Sequence, residues 1–101
     1  IIEGHQSTAL CHVGNISHRV GTKMPVAKIT DAIKQAELHE DVARTFDRTA
    51  KYLEGKGVDL NKTPLTLGQH LNIEGESFPG NDAANKLLAR TYRKPFELPN
   101  A

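Results

Sequence analysis

Glycine and proline divide this chain into short segments, and this division constrains the fold more than any other feature of the sequence. Gly21 and Pro25 follow the first amphipathic stretch, and Gly55 and Gly57 follow the second. Because both residue types disfavour helix and strand interiors, each segment can form only a short element. The spacing of the apolar residues predicts three to four helices and one strand-like segment.

The first helix is predicted over residues 7–20, with Ser7 as its N-cap. At 100° per residue its inward-facing residues fall on one arc. That arc consists of Ala9, Leu10, Val13, Ile16, Ser17 and Val20. Gly14 predicts the close approach of another element, and Cys11 is expected to be a buried or half-buried thiol. The other face carries few charges, which predicts a second packing partner for this helix.

Two further helices are predicted before the strand. A short one covers residues 31–36, is capped by Thr30 or Asp31, and turns Ile29 and Ile33 inward. A longer one covers residues 39–54 and ends at Gly55–Gly57. Its inward stripe is Val42, Phe46, Thr49 or Ala50, and Leu53.

The second half of the chain predicts a β-ribbon and a last helix. Apolar residues alternate over residues 65–73, the period of a half-buried strand, and residues 74–76 can turn the chain into a second strand at 77–78. A helix then begins at Asn81 or Asp82 and extends to Arg93. Its inward residues are predicted to be Ala84, Leu87, Leu88, and Thr91 or Tyr92. The fold class expected is α+β and mainly helical, as one small domain over residues 1–101, with a short antiparallel ribbon and without a Rossmann domain.

Charge and cysteine content exclude several functional classes. Thirteen basic and 12 acidic residues give a net charge of +1, which argues against a broad nucleic-acid or polybasic membrane surface. The single cysteine excludes an internal disulfide and a multi-cysteine zinc site. Apolar runs are too short for a membrane span. The chain begins at Ile1 and its only methionine is Met24, so we expect it to be part of a longer protein.

Four chemical sites can be considered, and the sequence argues against each. His5 and His12 lie two helical turns apart, about 10 Å, which is too far for metal chelation from one helix. Cys11 and His12 are helical neighbours that point about 100° apart, which disfavours a nucleophile–base pair. Gly55-Lys56-Gly57 lacks the later glycine of a dinucleotide-binding turn and follows a helix, not a strand. The basic residues Arg90, Arg93 and Lys94 are explained by the dipole at the end of the last helix.

Three stretches resemble motifs of one branch of the Gfo/Idh/MocA oxidoreductases. EGHQSTALCHVGNISHRVG over residues 3–21 is similar to that branch's GH-S-LCHL-NI--R-G. Residues 52–60, ending in GVDL, with Leu67, Gly68 and Leu71, resemble its HL--NGVDL … LG--L-FD region. GNDAANKLL and YRKPF within residues 80–96 resemble its closing GD-EAN-LL-R-YR-PW-VP. The chain departs from the pattern at residues 74–78, where a DP-TE-F loop is shortened, and at Phe96, where tryptophan is common.

The resemblance implies a parent enzyme of two domains, of which this chain is the C-terminal portion. The parent's N-terminal Rossmann domain would bind NAD(P) and be this chain's partner, in hydride transfer to or from a sugar, inositol or related polyol. This chain would then hold no cofactor, metal or catalytic residue and be inactive alone. His5, Ser7, His12 and Asn15 would face the missing domain or the cleft. A homo-oligomer and the compartment, cytoplasmic or exported, stay open, as does the alternative of a free-standing helical interaction module.

Overall fold

The computed structural model describes residues 1–97, and it confirms a small, mainly helical α+β fold. About half of the chain is helical, with one two-stranded antiparallel sheet. The elements are α1 (Ile2–Arg19), β1 (Thr22–Met24), α2 (Val26–Gln35), α3 (Glu40–Gly55), β2 (Leu65–Leu67) and α4 (Asp82–Asn85). Contacts group them into two compact units. Unit 1 combines residues 1–20 with the described residues from Gln69 onward, and unit 2 is Gly21–Gly68.

In unit 1, α1 begins at Ile2, five residues before the predicted start. Ser7 is therefore an interior helical residue, and its prediction as the N-cap is wrong. Backbone hydrogen bonding already starts with the His5 N–H group, which donates to the Ile1 carbonyl at 2.9 Å. Glu3 lies in the first turn, where the helix dipole favours a negative charge. The sequence preceding Ser7 is thus compatible with helix without a side-chain cap.

The core of unit 1 joins α1 to the segment around α4. Ile16, Phe78 and Ala84 are 6%, 2% and 0% exposed, and Val13, Leu71 and Leu87 pack against them. The inward positions predicted for Val13, Ile16, Ala84 and Leu87 are confirmed. The predictions for Leu10, Leu88, Thr91 and Tyr92 are wrong, because all four are exposed.

α4 is a single turn that ends at Asn85, whereas the sequence predicted a helix to Arg93. Its N-cap is Asn81, as predicted, whose Oδ1 accepts a hydrogen bond from the Ala84 N–H group at 3.0 Å. The Asn85 side chain instead pairs with the backbone of Phe78, where it accepts from the N–H group at 2.9 Å and donates to the carbonyl at 2.8 Å. These two hydrogen bonds hold the end of α4 against the loop at Phe78.

In unit 2, β1 and β2 form the sheet, so the predicted ribbon partner is wrong. Thr22 pairs with Leu67 and Met24 with Leu65, and the strand predicted over residues 65–73 stops at Leu67. In unit 1, the predicted turn at residues 74–76 forms a single bridge between Glu74 and Ser77. Of the predicted second strand, Ser77 pairs only with Glu74, on the other side of this turn.

The helices of unit 2 pack against each other. α2 starts directly after Pro25, so neither Thr30 nor Asp31 is a cap; Thr30 donates its hydroxyl to the Val26 carbonyl inside the helix. Ile29 is buried as predicted. In α3 the predicted stripe is confirmed at Phe46, Ala50 and Leu53, which are buried or half-buried. Val42 and Thr49 are exposed, and Ala43 takes the half-buried position instead.

The C-terminus of α3 is a Schellman motif, which agrees with the predicted glycine stop. The Val58 N–H group donates to the Leu53 carbonyl at 3.1 Å, and the Gly57 N–H group donates to the Glu54 carbonyl at 2.9 Å. Gly57 has a φ of +84°, a conformation that side-chain-bearing residues rarely adopt. The glycine requirement at this position is therefore conformational.

Candidate functional site

The four residues predicted to face a cleft or a second domain all lie on α1 and are exposed. With 100° per residue, His5, His12 and Asn15 fall within an arc of about 80°, and Ser7 lies about 80° beyond it. No side-chain hydrogen bond joins Ser7, His12 or Asn15 to another described residue. The structure thus places three of the four on one face and leaves Ser7 beside it.

His5 contacts a part of unit 1 that is remote in the sequence. Its Nε2–H group donates to Glu76 Oε1 at 3.0 Å, so the first turn of α1 is tied to the turn at residues 74–77. The two side chains are 65% and 85% exposed, and an exposed pair of this kind stabilises little and is screened by salt. The contact with Glu76 is not predictable from the sequence, because nothing in the local pattern relates a turn residue to a distant helix.

The surroundings of Cys11 and of Gly14, both on α1, differ from those predicted from the sequence. Cys11 is exposed, since it lies about 140° around the helix from the buried Ile16. A Cβ atom built on Gly14 would meet nothing within 4 Å, so no other described segment approaches it closely. The predicted buried thiol and the predicted close approach are both wrong for the described part of the chain.

In unit 1, a set of hydrogen bonds joins α1 to the segments at Gln69 and Asn81. The Ser17 hydroxyl donates to the Gln69 carbonyl at 2.7 Å, and the Gln69 N–H group donates back to the Ser17 carbonyl at 3.1 Å. Asn81 donates its Nδ2–H group to Gln69 Oε1 at 3.2 Å. These contacts connect the end of α1 to the cap of α4 through one glutamine.

The basic residues near the end of the chain lie outside any helix. Because α4 ends at Asn85, the predicted explanation of Arg90, Arg93 and Lys94 by the helix dipole is wrong; that effect is confined to the last turn of a helix. Two of the three line a cavity of about 390 Å³ in unit 1. Its lining residues are Arg90, Thr91, Tyr92, Arg93 and Phe96. The sequence signal was the arginine-aromatic pattern RTYRKPF, which gave no indication of a cavity.

A second, mainly apolar cavity of about 470 Å³ lies between α2 and α3 of unit 2. Its lining residues are Ile33, Asp41, Val42, Thr45, Phe46 and Thr49. Val42 is 41% exposed here, which explains why the sequence placed it wrongly in the core. An amphipathic stripe does not distinguish a residue packed inside from one at an open groove.

Two chemistries receive no support from the described residues. No three histidine, cysteine, aspartate or glutamate side chains among residues 1–97 come together as metal ligands do. None of the described helices combines the length and the hydropathy needed to cross a membrane.

No protein-family model, curated protein or solved structure matches the chain.

Proposed function

We propose that this chain is the C-terminal portion of an NAD(P)-dependent oxidoreductase of the Gfo/Idh/MocA type, with a structural and cleft-forming role. The observation that supports the proposal is the convergence of two motif-bearing stretches in one core. Ile16 belongs to the stretch over residues 3–21, and Ala84 and Leu87 belong to the closing stretch; the three share the core of unit 1. If the motifs belong to one domain of a common fold, their apolar residues are expected to pack in the same core, as these three do.

The exposed face of α1 is suited to contact with a second domain. Of its 18 residues only Glu3 and Arg19 carry a permanent charge, so burying this face would remove few charges from water. His12 and Asn15 offer hydrogen-bonding groups there, and interfaces between domains are commonly polar in this way. Ile2 and Leu10 add exposed apolar area on the same helix, at 73% and 74%.

The glycine segment at residues 55–57 does not fit a dinucleotide. It begins at the last residue of α3, where carbonyl groups and the negative end of the helix dipole disfavour a phosphate. In the proposal NAD(P) therefore belongs to the upstream Rossmann domain, and this chain is inactive alone. No step of the reaction is assigned to its residues.

The first test is the gene upstream of Ile1 together with the activity of its full product. We expect a strand followed by G-x-G-x-x-G upstream, hydride transfer between NAD(P) and a polyol by the full protein, and no NAD(H) binding by residues 1–101. A start codon close to Ile1 with no upstream domain would refute the proposal. So would tight NAD(H) binding by the isolated chain in a fluorescence titration.

A matched pair of variants tests the role of α1 in the full protein. Asn15→Asp places a charge on the proposed contact face, and Asn72→Asp makes the same change at an exposed site elsewhere in unit 1. We expect the first to lower kcat/KM at least tenfold and the second to change it less than twofold. Circular dichroism of the isolated chain should show both variants folded. Equal effects of the two variants would contradict the α1 contact.

The cavity between α2 and α3 favours one other function, that of a free-standing interaction module. Phe46 and Val42 give this cavity an apolar lining that a partner helix could cover. The same gene test separates the two proposals, because an independent module needs no upstream Rossmann domain.

A further inference from the structure

The segment over residues 90–96, here called the arginine loop, lines an open cavity of about 390 Å³ in unit 1, and its lining residues are all exposed. This volume lies within the range of small-molecule sites, about 300–1,000 Å³. It also exceeds what a single phosphate or carboxylate group would fill. A ligand that fills this cavity is therefore larger than one such group.

The basic side chains of the arginine loop form no ion pair with a described carboxylate. No described carboxylate oxygen lies within 4 Å of Arg90, Arg93 or Lys94. Arginine presents its donors in a planar fork that matches phosphate and carboxylate oxygens. With the helix dipole excluded as an explanation, two unpaired forks at one cavity favour a bound anion.

Arg93 contacts an aromatic ring of the same loop. Its guanidinium carbon lies 5.2 Å from the centroid of the Phe96 ring, within the range of a cation–π contact. Its carbonyl accepts a hydrogen bond from the Phe96 N–H group at 2.8 Å, which closes the turn that carries both residues. The turn therefore keeps a guanidinium and an aromatic ring close together at the cavity.

We infer that the arginine loop binds a phosphate monoester that carries a planar ring. A monoester has close to two negative charges and three terminal oxygens near neutral pH, which two arginines and the Thr91 hydroxyl can match. Tyr92 and Phe96 supply aromatic surface for the ring. A carboxylate would satisfy only one of the two forks. The inference does not rest on the proposed oxidoreductase function, because it concerns only residues of this chain.

Three probes test the chemistry with the 101-residue chain at fixed ionic strength. Phenyl phosphate has the ester and the ring, inorganic phosphate lacks the ring, and benzoate replaces the phosphate by a carboxylate. In calorimetry we expect phenyl phosphate to bind about tenfold more tightly than either of the others, which is about 1.4 kcal/mol. Amide chemical shifts should change mainly at residues 90–96. Absence of saturable binding would overturn the inference. Equal affinities for phenyl phosphate and inorganic phosphate would refute the part of it that concerns the planar ring.

Variants in the same loop separate a site from diffuse charge. Arg93→Gln removes a cavity-lining charge, whereas Lys94→Gln removes a neighbouring charge that does not line the cavity. We expect at least a tenfold loss of phenyl phosphate affinity for the first and less than twofold for the second. Arg93→Lys keeps the charge but not the fork and should lose most of the same affinity. Equal losses in the two glutamine variants, with circular dichroism unchanged, would refute a built site.

Discussion

The contact between Asn85 and the backbone of Phe78 gives the sharpest test of how unit 1 is held together. Asn85→Ala removes two hydrogen bonds, of 2.9 and 2.8 Å. Each is worth about 1 kcal/mol net, so the minimum expected loss is about 2 kcal/mol. Phe78 is only 2% exposed, which restricts access of replacement water to its N–H and carbonyl groups. Unpaired buried groups cost about 1–3 kcal/mol each, so we expect a total loss of about 2–6 kcal/mol for the two groups.

This loss is large against the total stability of a small domain, about 5–15 kcal/mol. With a urea m-value of about 2 kcal/mol/M, in the middle of the usual range, the unfolding midpoint should fall by about 1–3 M. Amide hydrogen exchange provides a local reading, because the Phe78 N–H group is itself the donor to Asn85. Its protection should fall in the variant.

The matched control is Asn15→Ala, at an exposed asparagine of α1. Alanine has the higher helix propensity, so this variant should be neutral or slightly stabilised. If Asn85→Ala lost less than about 0.5 kcal/mol, below the usual range for one hydrogen bond, and Phe78 exchange were unchanged, the role of this contact in holding unit 1 together would be refuted.

Asn85→Asp adds a test based on charge. An aspartate oxygen can still accept from the Phe78 N–H group, but the other oxygen faces the Phe78 carbonyl, which repels a negative charge. The folded state would then raise the pKa of the new carboxyl above its unfolded value of about 3.9. The variant is therefore expected to gain stability relative to the parent chain as pH falls from neutral through that raised pKa. A stability difference from the parent that stays constant with pH would contradict this geometry.

Three further predictions concern glycine and charge. Gly14→Ala should stabilise the chain by about 0.5–1 kcal/mol in urea unfolding, because the site is mid-helix and nothing lies within 4 Å of the new Cβ; a loss would contradict the open space. Gly57→Ala should destabilise by about 1–2 kcal/mol in the same assay, since its φ is +84°, and a gain would argue against the Schellman end of α3. The Lys51 ammonium donates a hydrogen bond to the Asp47 carboxylate, and this bond together with the Asp47 charge raises the pKa of Lys51. The contribution of the pair to stability is therefore present below pH 10.5 and is lost as pH rises through the raised pKa. Asp47→Asn should abolish that alkaline loss in pH-dependent thermal melts, and an identical loss in the variant would exclude the pair as its cause.

The sequence predicts best those elements whose determinants are local. α3 was placed within one residue at each end, because an amphipathic stripe precedes a glycine that the Schellman motif requires. The inward residues Val13 and Ile16 followed from periodicity alone. The start of α1 was missed because Ser7 is a favourable cap, yet the preceding residues can also be helical.

The pairing of the strands could not be predicted for a different reason. β1 has only three residues, so no alternation can be recognised in it, and Pro25 directly afterwards indicates a break. Its partner β2 lies some forty residues later. The predicted hairpin was the nearest local alternative, and it was wrong because pairing here is decided by distant contacts.

Whether the arginine loop could be predicted from the sequence depends on the same distinction between local and distant determinants. A continuous helix through Arg93 would place its arginines near a helix C-terminus, where the dipole alone accounts for them. Asn85 instead pairs with Phe78, and residues 90–96 lie outside any helix and line a cavity. The chemical interpretation of Arg90 and Arg93 therefore depends on where α4 ends. That end lies at Asn85, whose hydrogen-bonding partner, Phe78, lies outside the helix. The helix dipole can explain basic residues only where the C-terminus of the helix lies beside them.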